Sequence, residues 1–164
     1  MPILDPYAIE FFSRSPSQTK RIGIRLGGLL QRGDLICLSG DLGSGKTTLV
    51  QGIAQGWGSG DAVTSPTFVL VNRYRKVNGP SLYHLDAYRL QSAAEAIDLD
   101  LDAMLENGVL VVEWPENIQK ALPRPRLWVK LSWIDIEQRH FVFKPEGKRF
   151  EKMIKELRKH IYGG

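Results

Sequence analysis

A single cysteine in 164 residues excludes a disulfide framework. Cys37 sits inside the apolar run Leu35-Ile36-Cys37-Leu38, where it reads as a small buried hydrophobe rather than a reactive thiol. No stretch approaches the roughly 18 consecutive apolar residues of a membrane-spanning helix. The opening MPILDPYAIE lacks the basic-then-apolar order of an export signal, so the expectation is a cytoplasmic protein. Internal repeats and low-complexity tracts are also missing. What is present is the composition of one globular domain spanning residues 1–164, with 43% hydrophobic and 24% charged residues. At that size a chain buries roughly 70% of the surface it exposes when unfolded, enough for a core without crosslinks.

The net charge of +4 is concentrated at one end. Between Lys144 and His160 stand seven Lys/Arg and three acids, leaving the rest of the chain balanced. Such a segment is either a solvated helix face or an attractor for nucleic acid or an acidic protein surface.

Helical and strand patterns alternate along the chain, which predicts an α/β fold. Ser15-Pro16-Ser17-Gln18 reads as a helix start, with Ile22, Leu26, Leu29 and Leu30 on one face and Gly33 as the stop. Leu35 to Ser39 is a strand of the kind buried on both faces, and a helix from about Lys46 to Trp57 follows a glycine-rich loop. Phe68–Arg75 and Ser81–Asp86 read as two strands joined by Lys76-Val77-Asn78-Gly79-Pro80. Strands so close in sequence are antiparallel, so the sheet is mixed. Ser92-Ala93-Ala94-Glu95 reads as a second capping box, opening helical material up to Asn107-Gly108. Val109–Val112 is another fully buried strand, and Leu127–Ile134 and Arg139–Lys144 are two more. The last helix carries an apolar stripe of Phe150, Met153, Ile154, Leu157 and Ile161 opposite its cations.

Gly40-Asp41-Leu42-Gly43-Ser44-Gly45-Lys46-Thr47 fits the phosphate-binding pattern GxxxxGK[ST] without exception. A strand, a loop able to take positive φ and a helix N-terminus stand in the required order. Residues Asp41 to Thr48 are therefore expected to cradle a nucleotide. Gly43 and Gly45 let backbone N–H groups converge, Lys46 reaches the β- and γ-phosphates, Thr47 offers its hydroxyl to Mg²⁺, and Thr48 meets the α-phosphate. Mg²⁺ bound to ATP needs a carboxylate at the end of a second buried strand. Glu113, after Val109–Val112, and Asp86, after Leu82-Tyr83-His84-Leu85, compete for that place. Glu113 is the expected direct ligand and Asp86 a water-mediated one, or the group orienting the attacking water. The loop Val63-Thr64-Ser65-Pro66-Thr67-Phe68 is a candidate switch segment or plain turn chemistry. His84 reads as structural, since no second metal-type ligand is spaced to join it.

GDLGSGKTT, SPTFVLV, YHLDAYRL and VVEWPEN, in this order and at these intervals, resemble the bacterial TsaE (YjeE) family. Ser44 stands where alanine is usual and Ala87 where leucine is usual. The resemblance implies a P-loop NTPase fold with a mixed, mostly parallel central sheet flanked by helices. It further implies an ATPase needed for threonylcarbamoyl modification of adenosine next to the anticodon of certain tRNAs. Lys46 and Thr47 would be phosphate and Mg²⁺ residues, Glu113 a Mg²⁺ ligand, and Asp86 a residue needed for hydrolysis. Thr67 and Trp114 would lie in switch segments, and the partners would be TsaB and TsaD, whose complex the ATP cycle resets. Two other readings stay open on the residues alone: a small-molecule or nucleoside kinase, and a nucleic-acid binder that uses the basic C-terminal helix under ATP control.

Overall fold

The computed structural model describes residues 7–41, 43–63 and 71–161. Seven strands form one sheet: β1 (Ile9–Ser13), β2 (Leu35–Ser39), β3 (Val71–Tyr74), β4 (Ser81–Asp86), β5 (Gly108–Glu113), β6 (Arg126–Trp133) and β7 (Arg139–Glu146). Their order is β1-β7-β6-β2-β5-β4-β3. The central four, β6, β2, β5 and β4, run parallel, and β3, β7 and β1 join antiparallel. The mixed sheet expected from the β3–β4 connection is therefore present.

The unbroken apolar runs of β2 and β5 follow from burial on both faces. Ile36, Leu38, Val109 and Val111 point into a core shared with α1 (Pro16–Leu29), α2 (Lys46–Trp57) and α5 (Lys148–Ile161). Leu35, Cys37, Leu110 and Val112 point to the opposite core, under α3 (Ala93–Ile97), α4 (Leu101–Asn107) and the 3₁₀ segment Pro115–Ala121. Burial pushes the Cys37 thiol up to about 12, so it is inert packing. The α5 stripe expected from its spacing is the buried one, with Phe150, Met153, Ile154 and Leu157 inside.

Helix α1 packs on α2 backbone to backbone. A Cβ on Gly23 or Gly27 would overlap the carbonyl oxygen of Leu49 or Ile53, and one on Gly52 or Gly56 would overlap that of Lys20 or Ile24. Two Gly-x-x-x-Gly pairs thus clamp the helix that carries Lys46.

Several expectations change. Helix α1 ends at Leu29, four residues before Gly33, whose φ of +96° serves instead the turn into β2. Strand β1 has no counterpart in the sequence reading. The helical stretch after Ser92 breaks into α3 and α4 at Asp98–Asp100, and the expected capping box does not form: Glu95 accepts from the N–H of Gln91 rather than of Ser92, and the Ser92 side chain caps nothing. Of the strand expected over Phe68–Arg75, Val71–Tyr74 is observed and residues 68–70 lie outside the described residues. No helix among the described residues is long and apolar enough to cross a membrane.

Candidate functional site

The loop after β2 turns tightly, with the Ser44 N–H donating to the Asp41 carbonyl at 3.0 Å. Gly43 (φ +80°) and Gly45 (φ +99°) occupy the left-handed region, where a side chain is strained. Beside Gly43 there is open space out to 4 Å, and Gly45 is the N-cap of α2 with no side chain capping the helix. The N-terminus of α2 is thus open to an outside acceptor, and the helix dipole favours an anion there. Among the described residues the Ser44 hydroxyl, buried in the floor of the same loop, has no hydrogen-bond partner. These features fit a bound phosphate chain. Leu42 lies outside the described residues; Asp41 is exposed, and Thr47 and Thr48 are half-buried on the first turn of α2.

Lys46 folds back over this loop. Its Nζ donates to the Gly40 carbonyl at 2.5 Å and stands 4.0 Å from the centre of the Trp114 ring. Burial lowers the pKa of the ammonium, against the pull of Glu113, Asp86, Glu116 and Asp41. A cation held by one carbonyl and a ring face is ready to exchange both for phosphate oxygens.

Glu113 and Asp86 are register partners at the carboxyl ends of adjacent parallel strands, so the sheet brings together the two acids that sequence reasoning set in competition. Their surroundings differ. Glu113 is only 5% exposed, and its Oε2 is 2.5 Å from His84 Nε2; the other ring nitrogen, Nδ1, is 3.0 Å from the Tyr74 hydroxyl. Asp86 is half-buried and accepts from the Tyr88 N–H at 3.0 Å. Desolvation raises the Asp86 carboxyl above the ordinary range, and nearby Glu113 adds to this. Among the described residues no group of three His, Cys, Asp or Glu makes a metal cage. That donor set suits Mg²⁺, which binds through one or two carboxylates together with substrate phosphates.

Trp114 adopts φ +57°, a left-handed conformation costly for a bulky side chain and common at functional sites. The bend sets its ring beneath Lys46 and 5.0 Å from the Tyr88 ring. Two links latch the strand ends: the Ala87 N–H donates to the Glu113 carbonyl at 2.9 Å, and the Asn117 side chain donates to the Ala87 carbonyl at 3.0 Å. YHLDAYRL and VVEWPEN are thereby joined into one rim. Thr67 lies outside the described residues.

Sequence reasoning read His84 as structural and missed two neighbours of the site, Tyr74 and Arg139. His84 and Tyr74 form a buried chain of contacts behind Glu113; β4 is buried on both faces, so its alternation did not single out His84. Arg139, at the start of β7, lies alongside Gly45 and donates through Nη1 to the Asp135 and Gln138 carbonyls. Nothing in the spacing pointed to it.

A model of the family described as threonylcarbamoyl adenosine biosynthesis protein TsaE matches residues 13–141. The chain belongs to the TsaE family. Among TsaE proteins, that of Bacillus subtilis is 37% identical over 89% of this chain and 91% of its own length. The one from Streptomyces coelicolor is 46% identical over 69% of this chain and 78% of its own. A crystal structure of Bacillus subtilis YdiB superposes with a TM-score of 0.77 at 31% identity, covering 93% of this chain and 95% of that one. TsaE membership places the chain in tRNA threonylcarbamoyladenosine biosynthesis as a nucleotide-binding enzyme with the P-loop fold, and does not favour the kinase reading.

Proposed function

We propose that this protein hydrolyses ATP in the presence of Mg²⁺ and that its cycle resets a TsaB–TsaD complex between rounds of threonylcarbamoyl transfer to tRNA. The observation that carries this reading is the convergence of Lys46, Asp86 and Glu113 on the uncapped N-terminus of α2. Backbone N–H groups of residues 43–48 and the Lys46 ammonium bind the phosphates and stabilise charge that builds as the γ-phosphoryl leaves. Thr47 and Glu113 would hold Mg²⁺, which when bound neutralises phosphate charge. His84 holds the Glu113 carboxylate in one orientation, as outer partners of metal ligands do. Asp86, beside it and more open to solvent, orients the attacking water and accepts its proton.

Trp114 and Thr67 couple nucleotide state to partner contact. Trp114 supports that role by its position: its ring touches the lysine that must move when phosphate arrives. None of the roles above uses an arginine finger, a group worth about 10³–10⁵ in rate in related sites, so hydrolysis by the isolated chain is slow and partner contact accelerates it. The test is phosphate release with and without TsaB–TsaD. Stimulation that Trp114→Ala and Thr67→Ala lose while retaining ATP affinity supports the reading. Equal stimulation of both variants and wild type contradicts the switch assignment.

A further inference from the structure

The Asp86 carboxylate is oriented by its own turn. Its Oδ1 accepts from the Tyr88 N–H at 3.0 Å, an Asx turn that leaves Oδ2 as the oxygen to take up a water's proton. The aim of that oxygen is only as firm as the backbone of Ala87 and Tyr88. This stretch belongs to no helix or strand, and Tyr88 and Arg89 are exposed. Asn117 grips it from 30 positions along the chain, its Nδ2 donating to the Ala87 carbonyl at 3.0 Å and to the Tyr88 carbonyl at 3.3 Å. Both neighbours are acceptors, so only the donor end of the amide can face them.

Asn117 has a second attachment. It stands in the 3₁₀ segment that follows Trp114, and its own N–H donates to the Trp114 carbonyl at 3.2 Å. Pro115 and Ile118 of that segment are buried, which anchors the residue between them. One half-buried side chain therefore joins the turn under Asp86 to the turn that sets the Trp114 ring against Lys46. We propose that Asn117 is a positioning residue for ATP hydrolysis, fixing the Asp86 carboxylate through the Ala87 and Tyr88 carbonyls and tying its aim to the position of Trp114. The proposal rests on the reading of Asp86 as the group that orients the attacking water. When Lys46 leaves the Trp114 ring for a phosphate, a shift of the tryptophan reaches Asp86 through the hydrogen bonds from Trp114 to Asn117, Asn117 to Tyr88 and Tyr88 to Asp86.

The test is a double-mutant cycle on the full chain, read by single-turnover release of labelled phosphate at saturating Mg·ATP and by Mg·ATP affinity. Asn117→Ala should lower the rate constant about 10–100-fold, the cost of a reacting group misplaced by about 1 Å or of a lost outer partner. Affinity should stay near that of wild type, because the phosphate loop is untouched. In an Asp86→Asn background the same change should cost nothing further, since the group it positions is gone. Ile154→Val, in the core on the other face of the sheet, removes a buried methyl group and should leave rate and affinity alone, which separates positioning from a general loss of stability. If Asn117→Ala does not fold in urea-unfolding controls, Asn117→Gln, which keeps the amide but displaces it by a methylene, carries the same cycle. A wild-type rate in the Asn117 variant, a loss of affinity as large as the loss of rate, or a full additional loss in the Asp86→Asn background overturns the proposal. No hydrolysis by wild type, or hydrolysis by Asp86→Asn at the wild-type rate, overturns the reading beneath it and the proposal with it.

Discussion

His84 Nε2 lies 2.5 Å from Glu113 Oε2, wholly inside the protein, and Tyr74 closes the other side of the ring. A carboxylate tied down this way has one oxygen committed to the interior and its orientation fixed before any ligand arrives. Removing the imidazole strands a buried acceptor, at a cost of about 1–3 kcal/mol. His84→Ala should therefore lower the free energy of unfolding in urea by about 2 kcal/mol and weaken the Mg²⁺ dependence of nucleotide binding. Tyr74→Phe should do less of both. Mg²⁺ titrations that superimpose for wild type and His84→Ala would separate this histidine from the site.

Lys46→Ala removes the cation that the phosphate loop directs at the β- and γ-phosphates, where a well-placed charge supplies several kcal/mol of transition-state stabilisation. Phosphate release should fall below detection. Trp114, relieved of its cation, should change fluorescence in the same variant, because Lys46 stands against its ring. Steady-state release at the wild-type rate would displace the site from this loop.

The two strand-end acids should separate by assay. Glu113→Gln should weaken ATP binding only when Mg²⁺ is present. Asp86→Asn should bind Mg·ATP nearly as well as wild type and hydrolyse it poorly. Titrations with and without Mg²⁺, paired with single-turnover hydrolysis, decide the ranking, and the reverse order means that the roles are exchanged.

Burial gives Asp86 a second, opposite signature. Its folded carboxyl holds a proton more tightly than the unfolded chain does, so its ionisation counts against folding. The penalty is absent below the ordinary carboxylate range, grows as pH rises from there through the raised folded value, and is complete above it. Asp86→Asn should therefore raise the Tm of the nucleotide-free protein at neutral pH, with the gain shrinking under acid conditions, even as hydrolysis is lost. A variant with a lower Tm at neutral pH contradicts the desolvation argument.

The α1–α2 contact predicts a loss of stability far from any ligand. Gly27→Ala or Gly52→Ala forces a methyl group against a backbone carbonyl that cannot turn aside, an overpacking strain of about 1–3 kcal/mol. Gly28→Ala, whose Cβ would approach nothing closer than 4.0 Å, should be neutral or slightly stabilising. Urea unfolding of the three variants distinguishes close packing from simple helix propensity, which would favour alanine at all three positions.

How far the sequence was legible depended on whether the information was local. Strand β2 and helix α2 are bounded by residues that carry their own signals, an apolar run and a glycine-rich loop, and their limits agree with the reading. Strand β1 exists because β7 is there to pair with Phe11 and Ser13. Helix α1 stops at Leu29 rather than Gly33 because the chain must turn toward Gly108, whose carbonyl accepts the Gly33 N–H at 2.8 Å. The phosphate loop and both acids were visible as motifs. The His84–Glu113 contact joins residues 29 positions apart in the chain and needed the register of β4 on β5. The α1 glycines look like helix-weakening residues until the α2 glycines are laid against them.

The central claim, an ATP-driven role in tRNA threonylcarbamoylation, is tested most directly by reconstitution. TsaB, TsaD, unmodified tRNA and separately supplied threonylcarbamoyl-adenylate are combined with wild type or Lys46→Ala, with and without ATP, and modified tRNA is counted per TsaB–TsaD complex. Many turnovers with wild type and ATP, but about one when either is withheld or Lys46→Ala is substituted, is the predicted result. Repeated turnover without ATP hydrolysis by this protein would contradict it.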